Sequence, residues 1–156
     1  KEIKLVRCMP NTPALVGAGC TGLCANARVS RGEIDYSKKL MSSFGRADVV
    51  SEHMIDVVGA VSGSSPAYVF MFIEAMADGA VAAGMPRAQA YEFAAQAVYG
   101  AAKLVLESGK HPGELKDMVC SPGGTTIQGV RILEEKGMRG AVIDALTVTV
   151  EQSKKL

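Results

Sequence analysis

The sequence predicts a mainly α protein: an all-helical stretch, residues 52–156, preceded by a β-β-α-β segment, residues 1–51, that reads as the tail of an α/β domain. Three observations predict it. Short β-like runs bounded by Pro and Gly are confined to the first third of the chain. From His53 onward the residues are helix formers, with Gly and Pro as punctuation. The apolar fraction is 48% but the aromatic fraction only 5%, with no Trp, so Ala, Gly, Val and Met fill the interior, as closely packed helices require. At 156 residues the chain has room for one ordinary domain or two small ones.

Residues 3–8 alternate imperfectly and read as a buried strand, which Pro10 and Pro13 end. Residues 20–29, CTGLCANARV, suit a second short strand. In residues 33–44, Ile34, Leu40, Met41 and Phe44 share one helical face, and Gly45 is a natural stop. Residues 47–52 read as a third strand and 53–60 as a short helix. SGSSP, 62–66, reads as a helix start, with Ser65 as N-cap and Pro66 in the first turn. That helix carries Val69, Phe72, Ile73, Met76 and Ala80 on one face and stops at Gly84. The next runs from Pro86 to about Glu107. A short helix follows Pro112, another spans about 126–135, and Gly137 breaks it. The last segment contains LTVTVEQ, which alternates like a strand. With helical neighbours and no hairpin partner it is expected to be helix.

Composition excludes several classes. The formal charge is +1, so neither a nucleic-acid surface nor an acidic tail is indicated. No uninterrupted apolar run approaches the roughly 20 residues of a membrane span, and no signal-peptide pattern opens the sequence. Cys8, Cys20, Cys24 and Cys120 lack metal-site spacing, so reduced, packing cysteines of a cytoplasmic protein are expected. Neither His53 nor His111 has metal or triad spacing, and His111, just before Pro112, suits a helix cap. The sequence begins at Lys1 and enters a strand at once, which raises the expectation that a first part is missing.

Four motifs invite chemistry. GAGCTG, 17–22, spells a dinucleotide fingerprint, but prolines precede it and a β-like run follows, so it reads as a turn between strands. RCMPNTP, 7–13, ends a strand, where open parallel sheets place ligands, and Asn11 and Thr12 offer polar groups there. Glu52 stands where the texture changes; it lines a ligand crease or simply favours a helix start. SPGGTT, 121–126, is the most specific. Gly123 and Gly124 let the backbone turn freely, and the amides and hydroxyls of Thr125 and Thr126 converge at a helix start on an anion such as a carboxylate.

HPGELKDMVCSPGGTTIQGV, 111–130, closely resembles the signature of the pyrroline-5-carboxylate reductases, the last enzymes of proline biosynthesis. RCMPNTP, GAVSGSSPAYVF, ADGAVAAGMPR and AAQAVYGAAKLVLESGKHPGELKD resemble further family segments in the family's order. The resemblance implies that residues 1–51 are the end of a Rossmann-like dinucleotide-binding domain whose fingerprint would lie before Lys1. It implies that residues 52–156 are a substrate-binding and dimerisation domain that intertwines with a second copy, dimers assembling further into decamers. The implied reaction reduces the cyclic imine 1-pyrroline-5-carboxylate to L-proline with hydride from NADPH or NADH, without a metal and without nucleic-acid or membrane partners.

Carried onto this sequence, the resemblance implies substrate contacts at Glu52, Ser121, Gly123, Gly124, Thr125 and Thr126, with Thr126 catalytic through its hydroxyl near the ring nitrogen. It implies that Asn11 and Pro13 lie near the nicotinamide. Met118 stands where many relatives have an Asn that touches the cofactor, so that contact departs from the pattern. The implied 156-residue piece shows no turnover alone. Two alternatives remain open on the sequence: a stand-alone helical oligomerisation module, and another imine or β-hydroxyacid reductase with a similar helical domain.

Overall fold

The computed structural model describes residues 3–155. Strands β1 (Val6–Met9), β2 (Gly19–Ala25) and β3 (Gly45–Val49) form one sheet in the order β1-β2-β3. The helices are α1 (Arg31–Met41), α2 (Ile55–Val58), α3 (Ser65–Ala82), α4 (Arg87–Ser108), α5 (Pro112–Met118), α6 (Thr125–Glu135) and α7 (Met138–Ser153). The β-β-α-β start and the helical remainder are those the sequence predicts. Two compact units result. One runs from the start of the described chain to Tyr68 and includes Asp144 onward; the other is Val69–Ile143. The boundaries fall inside α3 and α7.

In the first unit β2 is the central strand. It pairs antiparallel with β1, Arg7 opposite Cys24, and parallel with β3, Thr21 opposite Ala47. The antiparallel β1 differs from the all-parallel sheet assumed for the loop after it. The carboxyl end of β1 therefore lies beside the amino ends of β2 and β3. Thr21, Gly22, Leu23 and Cys24 are buried, Leu23 completely. Strand β2 ends at Ala25, short of the predicted 29, because Asn26 folds back on the chain before β1: its side-chain amide donates to the Ile3 carbonyl. GAGCTG leads into β2 and not into a helix, in keeping with its reading as a turn.

Helix α1 begins at a capping box. The Ser30 hydroxyl accepts from the Glu33 amide, and the Glu33 carboxylate accepts from the Ser30 amide at 2.8 Å. Strand β3 then starts at Gly45 with φ 154°, and a side chain there would overlap the Gly19 backbone. Only glycine permits that approach.

After β3 the chain runs without interruption from Glu52 to Ala82: a 3-10 turn (Glu52–Met54), α2, a π-helical turn (Gly59–Ser64) and α3. This corrects the predicted helix start at SGSSP. Ser65 caps nothing; its hydroxyl donates to the Val61 carbonyl, and that of Ser62 donates to Val58 at 2.8 Å. Pro66 lies inside a helix because the wider π turn precedes it. The merged helix is also long and apolar enough, by length and composition, to cross a membrane, which the sequence hid by placing a break at residue 62. Its first part packs on β2: a Cβ at Gly22 would lie 2.8 Å from Val58 Cγ1.

The second unit centres on small residues. Ala77 of α3 and Ala90 and Ala94 of α4 are buried together, flanked by Ile73, Ala80, Val81 and Met85. Alanines at such a seam let two helix backbones approach closely. Helix α4 ends at Gly109 in the left-handed region. Helix α7 spans the alternating LTVTVEQ, as expected.

Candidate active site

The SPGGTT corner lies in the second unit, between α5 and α6. Helix α5 is entered through His111, whose Nδ1 accepts from the Gly113 amide at 3.0 Å, with Pro112 next in the first turn. The helix is closed by the Cys120 amide donating to the Asp117 carbonyl at 3.0 Å. Ser121, Pro122, Gly123 and Gly124 then make a tight turn, the Gly124 amide donating to the Ser121 carbonyl at 3.0 Å. Pro at the second position and a glycine with φ 69° at the third are the residue choices of a type II turn.

Gly124 occupies the N-cap position of α6 in extended conformation, φ −71° and ψ 171°, and no side chain caps the helix. A Cβ at Gly124 would collide with the Ser121 hydroxyl. Two consequences follow. The amides of the first turn, Thr125 and Thr126 among them, are not taken up by a cap and carry the positive end of the helix dipole. No acidic residue occupies that turn to neutralise it. Thr125, Thr126 and Ser121 are exposed, and among the described residues neither threonine hydroxyl has a partner. The corner thus presents several donors and no competing acceptor charge, the arrangement that holds a carboxylate.

Met118, the last residue of α5, is exposed, and its thioether lies 4.0 Å from Lys110 Nζ. It offers an apolar contact where an amide side chain would offer hydrogen bonds. Beyond the corner, Val130, Leu133, Met138, Val142 and Ile143 line an apolar groove of about 520 Å³ within the same unit.

The other predicted site residues belong to the first unit, and β2 keeps them apart. The Asn11 side chain bonds to the Cys20 amide at 2.8 Å. Glu52 accepts from Arg7 Nη1 at 2.6 Å and from the Cys24 thiol at 2.8 Å. Cys20 and Cys24 stand four residues apart on an extended strand, so the two attachment points are about 13 Å apart. The structure therefore does not bring Asn11 and Glu52 to one point. Pro13 sits in the 3-10 turn Thr12–Val16, and Asn11 and Thr12 line an open cleft of about 660 Å³ with Pro10, Ala14, Leu15, Phe44 and Gly63.

Around Glu52 the electrostatics are specific. The Cys24 thiol and then Arg7 hold the Glu52 carboxyl below the usual carboxylate range. Burial, and then the hydrogen bond to Glu52, push the Cys24 thiol up to about 11. Arg7 also reaches toward Asp56 at 3.8 Å, and Asp56 accepts from Ser153 at 3.3 Å. Sequence reasoning gave Arg7, Cys24 and Asp56 no part in this site. Arg7 and Glu52 are 45 positions apart, and no spacing rule pairs them. Among the described residues no group of His, Cys, Asp or Glu is arranged to hold a metal ion.

With this geometry in hand, comparison with known proteins is informative. Residues 52–156 match the family model described as pyrroline-5-carboxylate reductase dimerisation. The pyrroline-5-carboxylate reductase of Escherichia coli is 64% identical over 153 residues, covering 98% of this chain and 57% of that protein. Pyrroline-5-carboxylate reductase 2 of Bos taurus is 44% identical over 153 residues, covering 98% of this chain and 48% of the relative. Among solved structures, that of the Coxiella burnetii pyrroline-5-carboxylate reductase superposes with a TM-score of 0.94 at 39% identity, over 97% of this chain and 57% of the other. The Plasmodium falciparum pyrroline carboxylate reductase, solved with NADP bound, superposes with a TM-score of 0.91 at 35% identity, over 99% and 59%. The chain spans between 48% and 59% of the length of these relatives. It belongs to the pyrroline-5-carboxylate reductase dimerisation family.

Proposed function

We propose that this chain is the substrate-holding and dimerisation part of a pyrroline-5-carboxylate reductase, which reduces 1-pyrroline-5-carboxylate to L-proline at the expense of NADPH or NADH. The observation that carries the proposal is the uncapped, acid-free amino terminus of α6, with two partnerless threonine hydroxyls beside it. The substrate carboxylate accepts hydrogen bonds from the amides of Thr125 and Thr126, on a turn that Ser121, Gly123 and Gly124 shape. The Thr126 hydroxyl stands at the ring nitrogen, where it orients the imine and relays the proton that the nitrogen takes up. Holding the ring rigidly supplies much of the acceleration by positioning.

When bound, the dinucleotide supplies the hydride that adds to the imine carbon. Met118 offers it an apolar surface, and Asn11 in the cleft of the first unit and Pro13 in the adjoining 3-10 turn are further contacts. GAGCTG offers the pyrophosphate no helix amino terminus, since it leads into strand β2. Glu52, its charge held by the Arg7 and Cys24 hydrogen bonds, is the further substrate contact that the resemblance implies. The domain division after residue 51 separates this dinucleotide-facing part from the substrate part. The working assembly is a homodimer that associates into decamers in the cytoplasm, with no nucleic-acid or membrane partner.

The test is titration of L-proline into the chain, with Thr126→Ala and Thr126→Ser as controls. Alanine is expected to weaken binding about tenfold or more, the worth of one hydrogen bond to a charged ligand, while serine retains it. Equal affinity for all three proteins would remove Thr126 from the site.

A further inference from the structure

The first unit contains a hydrogen-bonding problem that the sequence creates and one side chain solves. Helix Glu52–Ala82 passes through Pro66, which has no amide hydrogen. With α spacing, residue 66 is the donor for the Ser62 carbonyl; with the π spacing of Gly59–Ser64, it is the donor for the Val61 carbonyl. Either way the proline withdraws a partner from this turn. The Val61 carbonyl accepts from the Ser65 hydroxyl instead. The Ser62 carbonyl, on a residue only 8% exposed, accepts from Asn11 Nδ2 at 2.9 Å.

Asn11 is placed to do this by giving up its ordinary role. It holds the N-cap position of the 3-10 turn Thr12–Val16, with φ −133° and ψ 166°, yet its side chain caps nothing. Asparagine is among the residues most used for capping. Here Oδ1 accepts from the Cys20 amide at 2.8 Å and Nδ2 donates to Ser62. An amide can only donate and a carbonyl can only accept, so these two partners fix the orientation of the Asn11 side chain. Three segments are tied through one residue: the loop after β1, the start of β2 and the π turn. Asn11 and Gly63 both line the 660 Å³ cleft, so the tie holds two of its walls together.

We infer that Asn11 is a positioning residue: its side-chain amide bridges the Cys20 amide and the Ser62 carbonyl, in a turn that Pro66 leaves one backbone donor short, and so fixes the Pro10–Thr12 wall of the cleft. Asn11 acts on the bound dinucleotide through that wall and not by a polar contact of its own. This second statement rests on the proposed reductase function; the bridge does not.

The experiment is a set of variants in the full reductase: Asn11→Ala and Asn11→Asp, each alone and combined with Pro66→Ala, which returns an amide at position 66. Asn11→Asp keeps the acceptor for Cys20 but sets a carboxylate oxygen against the Ser62 carbonyl. Hydrogen exchange of the Cys20 amide, thermal stability, and the separate KM and kcat for the dinucleotide are read on each. In Asn11→Ala the Cys20 amide is expected to exchange about tenfold faster or more, the loss of one neutral hydrogen bond. KM for the dinucleotide should rise more than kcat falls. Both single substitutions should lower the melting temperature, and Pro66→Ala should shrink that penalty by returning a backbone donor to the turn that holds Ser62. Unchanged exchange and melting in Asn11→Ala would overturn the bridge. Accelerated exchange with KM and kcat unchanged would overturn the positioning role. A loss of turnover equal in both Pro66 backgrounds, with stability untouched, would show a direct ligand contact and likewise overturn it. A parent protein without imine reduction would sink the proposed function and the role in turnover with it, while exchange and melting would still decide the bridge.

Discussion

A methyl group added at Gly124 has nowhere to go but the Ser121 hydroxyl, and Ser121 is part of the turn that aims the first amides of α6. Gly124→Ala is therefore expected to weaken proline binding about tenfold or more with little change in the rest of the fold, measured by calorimetric titration. Unaltered affinity would separate the turn from the ligand. At Cys24, burial and the neighbouring carboxylate keep the thiol protonated, with a pKa near 11. Iodoacetamide should therefore modify exposed Cys20 well before Cys24 in the native protein; peptide mass mapping that found Cys24 alkylated first would contradict this. Glu33 supplies a pH signature. Lys4, and then the Ser30 amide and hydroxyl, lower its carboxyl from 4.5 to about 2. A depressed folded-state value means a stabilising contribution that is complete above pH 4.5 and lost as pH falls toward 2. The melting-temperature gap between the parent and Glu33→Gln should thus be widest near neutrality and close on acidification. A gap independent of pH would contradict the assignment. At the residue scale the corner before α6 was legible in the sequence because it is local: SPGGTT carries its own turn, glycines and hydroxyls within six positions. Glu52 was legible as a carboxylate but not as a partner of Arg7 and Cys24, because strand pairing sets those two side by side and the 3-10 turn after β3 brings Glu52 to them.

Among the elements, those with local signals formed where the residues pointed. Gly84, Gly109 and Gly137 end helices, and Pro86 and Pro112 precede or open them. The S-x-x-E box at Ser30–Glu33 places the start of α1 at Arg31, ahead of the position that apolar spacing alone suggested. The alternation in α7 was a decoy: its threonines fit a helix because a threonine hydroxyl can bond back to the preceding turn, as Thr149 does to the Ala145 carbonyl at 2.8 Å. SGSSP misled in the opposite direction. Ser and Pro are favoured at helix starts, but a π turn and a borrowed donor let the same residues sit mid-helix. Strand β2 carries the most weight in its unit. Leu23, without exposed surface between β1 and β3, should cost about 2–5 kcal/mol when replaced by alanine, read by denaturant unfolding. A cost near zero would mean that the sheet does not define that unit's core.

The molecule as a whole leaves much apolar surface outside its own cores. In the second unit the buried residues are alanines, while Phe70 and Met71 of α3 are 62% and 69% exposed and Phe93 of α4 is 61% exposed. Monomers rarely leave so many large side chains open, and membership in a dimerisation family gives them a destination in a second copy of the chain. Phe70→Asp combined with Met71→Asp is expected to shift the protein from dimer to monomer in analytical ultracentrifugation; an unchanged sedimentation profile would place the interface elsewhere.

By itself the sequence determined the kinds of element, their order and the glycine-turned, donor-presenting corner at α6, because each follows from rules that act within a few residues: proline geometry, glycine freedom, helix-terminal donors and apolar period. Only the tertiary structure decided that β1 runs antiparallel to β2, that the helix continues through Pro66, and that Asn11, Arg7 and Cys24 spend their side chains on partners elsewhere in the chain. Those outcomes depend on which distant groups folding brings within hydrogen-bond reach, and a linear pattern carries no distance between residues tens of positions apart.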